Sequence, residues 1–257
     1  MNRRTLAVGI AVGVLLVVGT LTALALHPVS PTDHETPFAP ADPEAYEASG
    51  TILLDGETYV DYEGAVAADG TAYFRARSDD GYVRELYEED GVVYARLEAA
   101  DETRIDEFEQ VVGGEVVSQE KADGLTVAII RAEDPNRAVE TFLTEWNGVV
   151  ADTSQFPAYE RVDDGDGGVY EPRGGWIDSS RDYRITGASG ELVVDSEAGG
   201  VTRIDIAFER TFAGSSLAYL RNREDAVEYE IEYELRSGDT AVEPPEWVER
   251  ARADESE

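Results

Sequence analysis

The chain has no cysteine, one lysine, one methionine and two histidines among 257 residues. Without cysteine there is no disulfide, no thiolate chemistry and no lipid-modified cysteine. The two histidines, His27 and His34, both lie near the N-terminus. A Ser-His-Asp triad, a Cys-His pair and histidine-ligated zinc are therefore excluded from the rest of the chain. No Asn-x-Ser/Thr sequon occurs, so N-glycosylation is not expected. Basic residues are scarce as well: 21 Lys plus Arg stand against 55 Asp plus Glu, a net charge of -34. Nucleic acid is an unsuitable partner, because its binding needs phosphates neutralised by Lys and Arg.

Such an excess of like charge strains a compact fold in dilute buffer. At molar salt the Debye length shrinks to about 3 Å and most of the repulsion is screened. The composition resembles that of proteins from halophilic archaea. The acidity then reads as adaptation to solvent, not as a binding signature.

Charge is absent altogether from Thr5 to Leu26, a run of 22 residues. A helix of that length reaches roughly 33 Å, enough for a hydrocarbon core of about 30 Å. Arg3 and Arg4 precede the run, and the first charges after it are Asp33 and Glu35. The positive-inside rule puts residues 1–4 in the cytoplasm and everything after Leu26 outside. The segment Arg3-Arg4-Thr5-Leu6 also resembles a twin-arginine export signal. A cleavable signal peptide is the alternative to an anchor, since Ala23-Leu24-Ala25 has small-x-small character; against it, the run is longer than a usual signal core of about 7–15 residues. Gly9 and Gly13 have the spacing of a helix-dimer motif, a weak signal when alone. The expected location is the cell membrane, single-pass, with the C-terminal domain extracellular.

Residues 27–48 form a Pro-rich linker holding five of the ten prolines. Extended at about 3.1 Å per residue, it reaches roughly 60 Å. Residues 49–251 are expected to be one extracytoplasmic β-rich domain, and 252–257 a short acidic tail. Within that domain, Asp-Gly pairs at 55–56, 69–70, 80–81, 90–91 and 123–124 mark hairpins. The segments between them alternate, as in Thr71–Ser78, where Ala72, Phe74 and Ala76 oppose Tyr73, Arg75 and Arg77. The clearest strand is 226–236, where Val227, Tyr229, Ile231, Tyr233 and Leu235 alternate with acids and Arg236. Two helices are expected. One covers Asp101 to about Val112; the other follows Asp134 as cap and Pro135 in the first turn, with Val139, Phe142, Leu143 and Trp146 as its stripe. Ten or so strands at about 4.8 Å spacing make a sheet nearly 50 Å wide. Two helices cover less than half of its apolar face. The rest must curl on itself, meet a second sheet, or hold something apolar.

A one-sided antiparallel sheet with few helices, the strand Gly190-Glu191-Leu192-Val193-Val194-Asp195 and the closing segment Tyr233–Val248 with Pro244-Pro245-Glu246-Trp247 together resemble the LolA/LppX-like lipoproteins. The resemblance implies an α+β fold: a curved antiparallel sheet forming an incomplete barrel, with about two helices as a lid. It further implies binding of a lipid or other lipophilic molecule, without catalysis and without a cofactor. Many members carry a lipid-modified cysteine, which this chain lacks, and a helix-anchored protein cannot shuttle lipid across a gap.

Candidate ligand-binding residues are Tyr73, Arg75, Arg77, Arg84, Tyr94 and Arg96, together with Tyr82, on neighbouring hairpins. Arginine beside aromatic rings suits anionic headgroups or sugars. The competing reading is cross-strand pairing with Glu88, Glu98 and other carboxylates. Asp163, Asp164 and Asp166 fail the EF-hand spacing and read as a solvated turn; no metal is expected. No pair among the 55 carboxylates stands out for acid–base work. The rival to lipid binding is a structural or interaction module of the cell envelope, with a protein partner and a filled interior.

Overall fold

The computed structural model describes residues 40–254, apart from 42, 123, 134, 164–166, 178–182 and 199. The apolar run 5–26 and linker residues 27–39 lie outside the described residues, as do Asp134, Asp164 and Asp166. No helix among the described residues is long and apolar enough to cross a membrane.

Five strands come first: β1 (Tyr46–Leu54), β2 (Glu57–Val66), β3 (Ala72–Ser78), β4 (Val83–Glu89) and β5 (Val92–Ala99). Helix α1 (Thr103–Val112), strands β6 (Glu115–Ala122) and β7 (Leu125–Ala132), and helix α2 (Val139–Thr153) follow. Then come β8 (Ala158–Arg161), β9 (Gly168–Arg173), β10 (Gly175–Ile177), β11 (Tyr183–Asp195) and β12 (Gly200–Phe212). Helix α3 (Ser216–Asn222), strand β13 (Val227–Ser237) and helix α4 (Glu246–Asp254) close the chain. All thirteen strands belong to one antiparallel sheet, in the order β6-β7-β5-β4-β3-β2-β1-β13-β12-β11-β9-β8, with β10 paired to β11. The edges β6 and β8 do not meet, so the sheet is not closed.

The Asp-Gly turns behave as their chemistry requires. Asp55 and Gly56 both have positive φ, as do Asp90 and Gly91. That is the geometry of two-residue turns whose twist matches the flanking strands. The expected strand Gly190–Asp195 is the second half of the longer β11, whose pairing with β12 shifts register between Thr186 and Ser189. β6 is not evident from alternation, because every one of its residues is exposed. β1 starts at Tyr46, within the stretch expected to be linker, and Ala41 before it is already buried.

Four helices are present among the described residues, not about two. α3 is seven residues and α4 nine, too short for a 3.6-residue period to stand out. α4 starts directly after Pro245, whose carbonyl accepts from the Val248 N–H at 2.9 Å. α2 begins at Val139, so Pro135 is not in its first turn. Its cap comes from the sheet: Glu88 Oε2 on β4 accepts from the Val139 N–H at 2.7 Å. An anion there also opposes the positive end of the helix dipole.

α1 and α2 share one face of the sheet, the core face, where the Phe108 and Phe142 rings lie 5.7 Å apart. Phe142 stacks on Phe74 of β3 at 6.3 Å. Leu143 fills the space left by Gly64, where a Cβ would stand 3.0 Å from its methyls. The main core joins these residues to Ile52, Leu86, Ile130, Ile206, Phe208 and Ile231. α4 packs on the opposite face. There Trp247, Val248 and Ala251 cover Tyr87 and Tyr94, forming a small second core.

Candidate functional site

The candidate residues divide between the two faces. Tyr73, Arg75 and Arg77 of β3 and Tyr94 and Arg96 of β5 share the face opposite the core. Arg75 is paired with Glu85, and Glu85 with Arg96; Tyr73 with Tyr87, and Tyr87 with Tyr94. Arg84 occupies the other phase of β4, the phase of Leu86, and points to the core face.

Carboxylates occupy two of the three arginines on the face opposite the core, Arg75 and Arg96. Arg75 reaches Glu63 at 3.7 Å and Glu85 at 3.4 Å. Arg96 reaches Glu85 at 3.6 Å and pairs with Glu98. The Arg75–Glu63 pair is exposed and contributes about 0–1 kcal/mol, whereas Glu85, shared by both arginines, is largely covered. Arg77 makes no ion pair with a described residue. Tyr94 is buried under α4, with the Arg252 guanidinium 5.3 Å from its ring. Arg252 in turn bonds Glu89 at 2.6 Å. Tyr73 stays half-exposed on a shallow groove of about 400 Å³, whose lining includes Glu47, Ser49, Ala65, Glu234 and Arg236. Burial raises the Tyr73 phenol above its ordinary range, with Glu85 and Glu63 adding to it.

The core face holds the more unusual chemistry. Arg84 lies over the rings of Tyr82 and Trp146, 5.4 Å from each. Its Nε is buried without a hydrogen-bond partner. Burial lowers its pKa, and Arg104 and Arg137 nearby act in the same direction. In the same register row, across Ala76, stands Tyr62. Its hydroxyl donates to Asn147 Oδ1 of α2 at 2.9 Å in a buried position. Gly50 opposite has no side chain, and the Tyr62 ring lies where one would stand. Gly50 pairs with Tyr233 on its other side. The Tyr233 hydroxyl is buried without a partner. Burial raises both phenols above the usual range.

Between α2 and this end of the row the packing opens into a seam. Its lining includes Asn147, Val150, Ala151, Leu192, Val201, Ile204 and Tyr233, and its free volume is about 10 Å³. That is about the room needed for a single water. Tyr159 closes the far side, where its hydroxyl donates to the Ser154 carbonyl.

Sequence reading missed two further arginines of the same kind. Arg210 lies 4.5 Å from the rings of both Tyr183 and Tyr229. Arg184 lies 4.4 Å from Tyr219 and 5.3 Å from Trp176. The Nε of each is buried without a partner. The signal for Arg210 was available: it continues the core phase Ile204, Ile206, Phe208 of β12. Arg184 carried no such signal, because Tyr219 and Trp176 reach it only through the fold.

The acidic turn serves the backbone. Asp163 Oδ1 accepts from the Val169 N–H at 2.8 Å. Among the described residues, no three or more His, Asp or Glu side chains are grouped to hold a metal ion. No family model matches the sequence, and no curated protein matches it significantly.

Proposed function

We propose that this chain is a non-enzymatic binding domain, held outside the membrane by its N-terminal apolar helix. Its ligand is a lipophilic molecule taken up between α2 and the core face of the sheet. In that reading the sheet is the curved wall of an incomplete barrel and the helices are its lid, as in the LolA/LppX-like lipoproteins. The anchor limits the role to capture or presentation at the membrane surface. No cofactor and no nucleic acid enter the reading.

The observation that carries it is the seam. Val150, Ala151, Leu192, Val201 and Ile204 form the apolar part of a slot that Asn147, Ser154, Tyr159 and Tyr233 also line, and the Tyr233 hydroxyl is buried with no described partner. An apolar wall with a few polar groups is the usual make-up of a small-molecule site. At about 10 Å³ the slot is closed, so an acyl chain enters only when α2 moves away from β12 and β13. Asn147, Val150 and Ala151 in the C-terminal half of α2, with Ser154 just after it, border the slot, while Phe142 and Leu143 hold the other half on β2 and β3.

The same closure favours a second reading: an interaction module of the cell envelope whose interior is simply filled. Solvent extraction of the protein purified in molar salt, followed by mass spectrometry, separates the two. Stoichiometric lipid in the wild type, and its loss in Ala151→Trp, which fills the slot, supports ligand binding. Wild-type protein that carries no lipid and takes up none from vesicles leaves the interaction module.

A further inference from the structure

Thr211 to Arg223 contains no acidic residue, in a chain of net charge -34. Within this window lies α3, which buries none of its residues. The helix is held by other means. Ser215 Oγ caps it by accepting from the Ala218 N–H at 3.2 Å. Asn222 Nδ2 donates to the Phe212 carbonyl at 3.1 Å. Tyr219 meets Trp176 edge-to-face, ring centres 6.0 Å apart, and lies against the Arg184 guanidinium. With its backbone and its tyrosine fixed, the helix holds its leucines out. Leu217 is 40% exposed, Leu220 49%, and neighbouring Phe212 46%. Of the nine large apolar residues exposed among the described residues, three fall in this short stretch. Arg221 and Arg223 beside them are exposed and make no ion pair with any described residue, although the chain has 55 carboxylates.

We propose that α3 and Phe212 form a docking surface for the phosphate-bearing face of a lipid bilayer. Leucine and phenylalanine enter the interface, an aromatic pair stands behind them, and Arg221 and Arg223, without an ion pair among the described residues, meet phosphate oxygens. Acids resume at Glu224 and Asp225 and confine the patch. At molar salt charge acts over only about 3 Å, so apolar contact sets the strength and arginine sets the fit. The proposal rests on the anchored reading above, and the reach of the tether allows it. The chain enters the sheet at Pro40, which bridges Val201 at the start of β12. Phe212 is at the other end of that strand, roughly 40 Å away at about 3.4 Å per residue. Residues 27–39 span at most about 45 Å when fully extended. The domain can therefore lie with α3 against the same membrane that holds its anchor.

The absence of cysteine makes the test clean. The full chain is reconstituted in vesicles of equal phosphatidylcholine and phosphatidylglycerol in molar NaCl. A single cysteine at Leu217→Cys carries a polarity-sensitive dye; Asp69→Cys, in a turn at the opposite end of the sheet, is the control. Flotation of the vesicles reports the anchor independently. The expected result is co-flotation, a blue-shifted dye at 217 and a water-like dye at 69. Adding Phe212→Ser and Leu220→Glu lowers the shifted fraction roughly tenfold, in line with the loss of two apolar contacts. A water-like dye at 217 on protein that floats overturns docking and leaves the anchor intact. Protein that does not float overturns both. A shift that appears in detergent and grows with protein concentration assigns the patch to a second copy of the chain and overturns the proposal.

Discussion

Gly50→Ala tests the packing of the core seam with a single methyl group. Gly50 has an ordinary strand conformation, so only space is at issue. A Cβ there would stand 2.4 Å from Tyr62 Cε1 and 2.8 Å from its Cζ and Oη. The ring cannot step aside freely. Its hydroxyl is held by Asn147 at 2.9 Å, and Trp146 lies 5.9 Å away on the same helix. Overpacking of this kind costs about 1–3 kcal/mol. If the ring moves and the hydrogen bond breaks, the buried Asn147 oxygen left unpaired costs about 1–3 kcal/mol more. Replacing glycine restores about 0.4–1 kcal/mol through the unfolded chain. The expected net loss is roughly 2–4 kcal/mol, a large share of the about 5–15 kcal/mol that holds a typical domain. Urea unfolding in molar NaCl measures it. The double variant Gly50→Ala with Tyr62→Leu supplies the control: once the ring is gone, the added methyl should cost under about 0.5 kcal/mol. A Gly50→Ala protein as stable as wild type, or an equal cost in both backgrounds, refutes the reasoning.

Two further predictions concern solvent. The melting temperature should fall as NaCl drops from molar to 0.1 M, where the Debye length grows to about 10 Å and like charges interact again; equal melting at both concentrations contradicts the halophilic account. In molar NaCl the domain should also lose stability in alkali. Burial raises the phenols of Tyr62, Tyr233 and Tyr82 above their unfolded value, Tyr82 to about 12. A raised folded pKa gives stability that is complete below the unfolded pKa of about 10 and is lost as pH rises toward the folded one. Melting curves from pH 8 to 12 should decline above about 10, and Tyr62→Phe should shrink the decline.

Much of the sheet is legible in the chain. Asp55-Gly56 and Asp90-Gly91 mark tight turns because their residues tolerate positive φ. The alternation of β3 and β13 separates buried from exposed positions as observed. β6 escapes notice because both of its faces are exposed, so no pattern of burial shapes its residues. The candidate site is legible only in part. Tyr73, Arg75, Tyr94 and Arg96 do share a face, which is a matter of strand phase and register. Arg84 belongs to the core phase of its own strand, beside Leu86, a placement that grouping by residue type overlooks.

Composition and local pattern determine which side-chain chemistries the chain lacks, how large its net charge is, where hairpins turn and which side chains share a strand face. These depend on residue type and on neighbours a few positions away. Partnership across the chain is a different matter. β1 lies beside β13, which brings Gly50 between Tyr62 and Tyr233. Glu88 caps a helix that begins at Val139. α4 covers Tyr94, and Tyr219 covers Arg184. Apart from Gly50–Tyr62 within one hairpin, these contacts join residues tens to nearly two hundred positions apart. An alternating strand presents the same edges to any neighbour, so only the packing of the whole sheet against its helices selects which neighbour it receives.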